Sequence, residues 1–143
     1  MLSMTPQQPP PRHDPRYLRG LFDRATDLAQ SHDMTSVFVG IAGDEADLLA
    51  PEFIDYVESA LRVEDSVFRL LRGRAVLLLT DVTQERAASV LGRIRDDFVS
   101  RFAPRDGFEV QLGYYQVEGA QKVALAKEIL PIIFDPEQAG TGG

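Results

Sequence analysis

The sequence predicts a single α+β domain in which helices pack on an antiparallel sheet. Apolar residues recur at helical spacing in four segments, and short apolar runs rich in β-branched residues lie between them. Two of those runs are separated by a tight turn at Arg72-Gly73, which is typical of a hairpin. A length of 143 residues suits one domain with one sizeable core.

Helix-start signals define the first half of the chain. Asp14-Pro15 is an N-cap followed by proline, and Pro51 begins a second stretch of helical spacing. Between them lies a short apolar run that predicts a buried strand. The first half therefore comprises helices over 14–31 and 51–61, a strand over 36–41 and an acidic connector over 42–50.

The second half continues with a hairpin and two more helices. Asp81 or Thr83 caps a long amphipathic helix, and Pro131 follows the last helical run. The predicted elements are strands over 66–71 and 75–79, a helix to 102, a strand over 108–115, a helix over 118–130 and a short strand over 132–134.

The resulting order is α-β-α-β-β-α-β-α. Its central β-α-β-β-α-β pattern is that of a ferredoxin-like sandwich, in which helices flank an antiparallel sheet. Residues 1–13 are predicted to be a disordered Pro-rich tail, residues 14–135 the domain, and residues 136–143 a flexible C-terminal tail.

Composition excludes several function classes. The net charge of −7 argues against sequence-independent nucleic-acid binding, which requires Lys and Arg to neutralise phosphates. The absence of cysteine excludes thiol chemistry and disulfides. The N-terminus lacks a signal-peptide pattern, and no apolar run approaches the roughly 20 residues that cross a bilayer. We therefore expect a cytoplasmic protein without membrane insertion.

The most informative segment is Arg62-Val63-Glu64-Asp65, which lies five residues before the hairpin segment 71–75. An RxxD pattern alone carries little weight, because about one is expected by chance in this composition. Two others occur, at Arg24-Asp27 and Arg93-Asp96. Only Arg62-Asp65 ends a predicted helix, enters a strand and precedes a hairpin.

This arrangement resembles the centre of a GGDEF domain, the diguanylate cyclase family, in which an RxxD motif precedes the signature loop by five residues. Residues 37–42 resemble the first strand of the family, 68–75 its "aRlGGDEF" segment, 91–95 its "aerir" helix and 112–113 its "SIG" strand. The resemblance covers roughly residues 14–127, and the fragments agree in order and spacing.

The resemblance also implies that the catalytic half of the site is lost. The metal-binding Asp of the first strand is replaced by Gly40, or by Ala42 if the register slips by two. The Asp and Glu of the signature loop correspond to Gly73 and Arg74. Cyclase chemistry needs carboxylates that hold two divalent cations. We therefore expect no enzyme activity, no catalytic residues, no metal and no cofactor.

The RxxD motif of the family is its inhibitory site for cyclic di-GMP. By resemblance, Arg62 and Asp65 are expected to bind this nucleotide, with Arg93 contributed by the helix after the hairpin and Arg69 by the neighbouring strand. Arginine suits phosphate or a guanine edge, and a carboxylate accepts from guanine N–H groups. The expected function is a signalling receptor whose ligand changes contacts with a partner protein or a second copy.

Three alternatives remain open. The Arg62–Asp65 pair could be a structural ion pair at the helix end. The chain could be a pure interaction module on a degenerate fold, or another ferredoxin-like regulatory domain with a different small ligand. The surfaces considered for an interaction module are the apolar side of the first helix, the strand edge at 70–71 and the segment 132–134, with Tyr17, Leu21 and Phe22 on the first of these.

Overall fold

The structure, a computed structural model, describes residues 14–44, 46–70, 73–102, 108–119 and 126–134. These ranges contain four helices and four strands. In chain order they are α1 (Pro15–His32), β1 (Ser36–Ala42), α2 (Leu49–Ala60), β2 (Ser66–Arg69), β3 (Arg74–Thr80), α3 (Gln84–Phe102), β4 (Gln111–Val117) and α4 (Ala126–Phe134). None of these helices is long and apolar enough to cross a membrane.

The four strands form one antiparallel sheet in the order β2-β3-β1-β4. β1 lies inside the sheet and pairs along its full length with both neighbours, from Ser36 opposite Thr80 and Val117 to Ala42 opposite Arg74 and Gln111. This order is the one that a β-α-β-β-α-β chain adopts in a ferredoxin-like sandwich. The predicted α+β fold class is therefore confirmed.

Both faces of the sheet are covered by helices. Val37, Val39 and Ile41 of β1 face α2 and α3, whereas Phe38 faces α1 and α4. Because successive side chains of a strand point to opposite faces, a strand buried on both sides reads as a continuous apolar run. This explains why β1 and β3 were recognisable in the sequence.

The first helix begins and ends where local chemistry dictates. The carboxylate of Asp14 accepts a hydrogen bond from the Arg16 amide at 2.9 Å, and Pro15 occupies the first turn. The helix ends at Asp33, whose φ of 51° is left-handed and whose N–H donates to the Leu28 carbonyl. Leu21 and Phe22 were considered as part of an exposed interaction surface on α1. That expectation is wrong, because both side chains are buried in the core beneath α1 and α4.

The strand expected over 132–134 is wrong, because these residues belong to α4. Ile129 and Ile133 are spaced by one helical turn and are both buried against the sheet. Proline inside a helix removes a hydrogen bond at a cost of about 3 kcal/mol. Pro131 is exposed, and the burial of its isoleucine neighbours offsets that loss. Of the helix expected over 118–130, residues 118 and 119 are not helical and 120–125 lie outside the described residues.

Other element boundaries also differ from the expected ones. β4 begins at Gln111 and extends to Val117, because its register follows the full length of β1. α2 begins at Leu49, so Pro51 lies in a first turn that needs no intrahelical N–H partner. The carboxylate of Asp47 accepts from the Leu49 amide at 2.8 Å and starts the helix. β2 ends at Arg69, and residues 71 and 72 of the expected strand and turn lie outside the described ones.

A close backbone contact joins α4 to the centre of the sheet. Gly40 of β1 and Gly113 of β4 lie opposite each other, and the carbonyl of Ile133 rests on both. A Cβ atom at Gly40 would lie 2.5 Å from the Ile133 oxygen, and one at Gly113 would lie 2.0 Å from it. Both distances are far shorter than van der Waals contact, so these positions accept only glycine without movement of α4.

Candidate ligand-binding site

The RxxD segment forms a tight turn between α2 and β2. α2 ends at Ala60, and the amide of Asp65 donates to the carbonyl of Arg62 at 3.0 Å. This turn brings the side chains of Arg62 and Asp65 together near the end of β3, next to the first turns of α3. Arg62 and Asp65 form an ion pair at the end of α2, which is the geometry of the structural alternative stated above.

Asp65 is the centre of this arrangement. Its Oδ2 accepts from the Arg62 amide at 3.1 Å and from Arg62 Nε at 3.2 Å. Its Oδ1 accepts from Arg62 Nη2 at 3.2 Å and from the amide of Thr80, at the end of β3, at 3.1 Å. The Asp65 side chain is only 4% exposed. The carboxylate thus joins the turn to the end of the interior strand β3.

Arg62 is the exposed member of the pair, with 47% of its side chain accessible. Besides Asp65, its guanidinium contacts the Thr80 carbonyl through Nη2 and lies 3.4 Å from the Glu64 carboxylate through Nε. The hydrogen bond with Asp65 is the main cause that raises the pKa of Arg62, so its cation is permanent. Arg24 donates to the Glu64 carbonyl at 3.3 Å, so the RxxD turn is also bonded to α1, which packs on the other face of the sheet.

A pocket of about 150 Å³ opens beside this pair. We call it the RxxD pocket. Its polar side chains are Arg62, Asp65 and Arg86, the last from the first turns of α3. Its apolar wall is formed by Leu61, Leu79, Val82, Ala87 and Val90, together with Ala60. A small apolar slot with two guanidinium groups and a carboxylate at its edge suits a flat, polar-edged ring.

The other two predicted site residues lie outside the RxxD pocket. Arg93 is exposed on α3, two helical turns beyond Arg86 and hence on the same side of that helix. Arg69 donates to Asp55 at 2.6 Å and to Glu58 at 2.8 Å, so its guanidinium is held by α2. The structure thus brings Arg62 and Asp65 together, leaves Arg93 nearby along α3 and places Arg69 in a separate ion pair.

Arg86 is the residue that sequence reasoning missed. A signal was available, because Arg86 and Arg93 are seven residues apart and share one face of a helix. The spacing alone could not decide which of the two lies beside the turn. Which of the two arginines lies beside the turn depends on where α3 begins after β3 and on how it packs, and this becomes visible only in the structure.

The positions that the resemblance aligns with catalytic residues of the GGDEF family lie towards the opposite end of β1. Gly40 is covered by Ile133, and the Gly73 carbonyl accepts from the Gly43 amide at 2.7 Å. The Arg74 guanidinium stacks over the Phe134 ring at 5.7 Å from its centroid. In the part of the chain that the structure describes, no group of three His, Cys, Asp or Glu side chains is placed to hold a metal ion.

Comparison with solved structures identifies the fold. No family model and no curated protein matches the sequence. The GGDEF domain of FimX from Pseudomonas aeruginosa is 14% identical with a TM-score of 0.67, and the match covers 90% of this chain and 88% of that one. The GGDEF domain of DgcB from Caulobacter crescentus, in complex with c-di-GMP, is 13% identical with a TM-score of 0.68, covering 87% and 84%.

A third similar structure is PelD from Pseudomonas aeruginosa in complex with c-di-GMP. It is 20% identical with a TM-score of 0.62, and the match covers 84% of this chain and 44% of PelD. These similarities show the fold: the chain has the architecture of a GGDEF domain. The resemblance stated from the sequence is thereby confirmed at the level of the fold.

Proposed function

We propose that the chain is a catalytically inactive GGDEF-like domain that binds cyclic di-GMP in the RxxD pocket and acts as its receptor. The observation that carries this proposal is the convergence of Arg62, Asp65 and Arg86 on one apolar slot. Two of the three similar structures, DgcB and PelD, are complexes with c-di-GMP, which supports the choice of ligand.

The chemistry of the slot matches a guanine base. An arginine fork donates to guanine O6 and N7, and a carboxylate accepts from guanine N1–H and N2–H. The Asp65 carboxylate already accepts four hydrogen bonds, which occupies its usual capacity. Guanine therefore replaces the two bonds from the Arg62 side chain, while the amides of Arg62 and Thr80 keep the carboxylate in place. The released guanidinium is then free to grip the ligand.

The size of the pocket sets how the ligand binds. A volume of about 150 Å³ is half of the roughly 300 Å³ at which drug-sized pockets begin, so it accommodates one base of the dinucleotide. The remainder lies along the exposed face of α3, where Arg86 and Arg93 can approach the phosphates. The second base stacks on a second ligand or enters the RxxD pocket of a second copy.

Loss of cyclase activity forms part of this proposal. The chain has no carboxylate at Gly40, and the carbonyl of Ile133 occupies the space that a side chain there would need. We expect no pyrophosphate release when the protein is incubated with GTP and Mg²⁺, measured by a coupled phosphate assay. The Gly40→Asp variant is expected to be equally inactive, because its new side chain collides with α4. Turnover of GTP by either protein contradicts this part of the proposal.

The binding proposal is tested by calorimetric titration with cyclic di-GMP. We expect Arg62→Ala and Arg86→Ala each to weaken binding about tenfold or more, because each removes a charge-assisted hydrogen bond to the ligand. Arg101→Ala is the matched control, since Arg101 is an exposed arginine of α3 that pairs with Asp97 away from the pocket. It removes the same charge and is expected to bind like the unaltered protein.

The opposite outcome is equally defined. If the unaltered protein gives no heat at tens of micromolar ligand, the Arg62–Asp65 pair is a structural ion pair and the proposed receptor function is wrong. Equal weakening by Arg101→Ala would show that only the total charge matters, which also contradicts a site at the RxxD pocket.

A further inference from the structure

A second candidate surface lies between α2 and α3, on the side of these helices away from the RxxD turn. The rings of Tyr56, Phe98 and Phe102 pack together with centroid distances of 5.3–5.9 Å. Phe102 remains 53% exposed, and Val99 beside it is also exposed. Phe102 continues the cluster of Tyr56 and Phe98 to the surface, and contiguous exposed apolar patches mark interaction sites.

These rings form the floor of a pocket of about 310 Å³, lined by Glu52, Asp55, Tyr56, Phe98 and Phe102. We call it the aromatic pocket. It shares no lining residue with the RxxD pocket. Its volume is at the lower end of the range of ligand sites, which is enough for one or two side chains of a partner.

Carboxylates surround the aromatic floor. Asp55 and Asp97 are paired with Arg69 and Arg101, respectively. Glu52 has no ion-pair partner among the residues that the structure describes. The rim therefore carries one uncompensated negative charge next to three aromatic rings.

The Tyr56 hydroxyl is fixed by a hydrogen bond that it donates to Asp97. This bond is the main cause that raises the pKa of Tyr56 and lowers the pKa of Asp97. Both shifts favour the state in which the Tyr56 hydroxyl keeps its proton and the Asp97 carboxylate is ionised. The floor is held in one arrangement without any ligand, which favours binding of a partner to a preformed surface.

We propose that the aromatic pocket docks a basic segment of a partner protein, through an Arg or Lys side chain next to an apolar one. Aromatic faces and carboxylates both attract a cation, and the exposed Phe102 provides contact for the apolar neighbour. The same carboxylates repel phosphates, so nucleotides and acidic lipids do not fit. The net charge of −7 also disfavours a second copy of this chain as the occupant.

The test uses a fluorescein-labelled synthetic amphipathic helix with leucines on one side and arginines beside them. The comparison peptide carries citrulline, the uncharged analogue, at every arginine. Fluorescence anisotropy of the full chain is expected to show binding of the arginine peptide, and binding of the citrulline peptide at least about threefold weaker. Equal affinity for both peptides would show that no cation is recognised and would overturn the proposal.

Two variants locate the binding. Phe102→Ala and Glu52→Gln are each expected to weaken the arginine peptide about threefold or more. Phe102→Ala leaves the net charge unchanged, so its effect separates the pocket from general attraction to an acidic protein. Leu48→Ala is the control, because Leu48 is 69% exposed and lies outside the aromatic pocket. It is expected to have no effect.

Two further results would contradict the proposal. Unchanged peptide binding by Phe102→Ala would place the peptide elsewhere. Sedimentation that shows a dimer of the unaltered chain, dispersed by Phe102→Ala, would assign the surface to a second copy. Phe102→Ala is also titrated with cyclic di-GMP. Nucleotide binding at the RxxD pocket is expected to be unaffected, which separates failure at the aromatic pocket from failure at the RxxD pocket.

Discussion

Replacing Gly113 with alanine is expected to lower the free energy of unfolding by about 3 kcal/mol and the melting temperature by about 10 °C. The added Cβ would lie 2.0 Å from the Ile133 oxygen and 2.6 Å from the Ile133 carbonyl carbon. All of these neighbours are backbone atoms, so no flexible side chain can move away. Either α4 shifts outward and exposes Ile129 and Ile133, or the sheet bends.

The matched control for this variant is Gly92→Ala. Gly92 lies in α3, and nothing lies within 4 Å of a Cβ built on it. Alanine there is expected to raise the free energy of unfolding by about 0.5–1 kcal/mol, because it favours the helix and restricts the unfolded chain. Urea denaturation followed by circular dichroism measures both variants. A loss of stability below 1 kcal/mol for Gly113→Ala would mean that the α4 contact is not tight.

The second large effect is expected for Asp65→Ala, which should lose about 2–3 kcal/mol of stability together with cyclic di-GMP binding. The Asp65 carboxylate is almost fully buried and accepts from the amides of Arg62 and Thr80. Its removal leaves these two donors without their partner at the junction of α2, β2 and β3. Urea denaturation and calorimetric titration measure the two losses separately.

Arg62→Ala provides the contrast with Asp65→Ala. Arg62 is half exposed, and exposed ion pairs contribute about 0–1 kcal/mol to stability. Its removal is expected to weaken ligand binding about tenfold or more while the melting temperature falls by only a few degrees. If Arg62→Ala destabilises the protein as much as Asp65→Ala does, the pair acts as one structural unit and the division of roles argued above is wrong.

The sequence was sufficient to predict the sheet and most of its helices, for identifiable reasons. β1 and β3 are buried on both faces, so their apolar runs could hardly form any other element at that length. Asp14-Pro15 predicts the start of α1 because aspartate caps a helix N-terminus and proline favours its first turn. The link from Arg62 to Asp65 is a local turn of four residues, and local turns are what short motifs encode best.

The misplaced elements depend on contacts between distant segments. Pro131 is a helix-ending signal, yet α4 continues through it because Ile129 and Ile133 are buried against the sheet. The start of β4 at Gln111 follows from its pairing with Ala42, which is 69 positions away (111 − 42 = 69). Propensity and periodicity carry no information about such pairings.

The proposed binding site also combines local and long-range contacts. Arg62 and Asp65 were predicted from the motif, whereas the contact of Asp65 with Thr80 joins residues 15 positions apart through the hairpin. Arg86 lines the pocket because α3 leaves the end of β3 beside the turn. Arg69 belongs to an ion pair with α2 that no local pattern indicated.

The most direct test of the proposed receptor function is a nuclear magnetic resonance titration of the ¹⁵N-labelled protein with cyclic di-GMP. We expect the largest amide shifts in the turn at 61–65, at Thr80 and Val82, and in α3 from Arg86 to Arg93. The pocket at the other end of β1, lined among others by Asp44, Arg95 and Glu109, should be unaffected. Largest shifts at residues 42–44 and 108–111, or no shifts at all, would contradict the proposal.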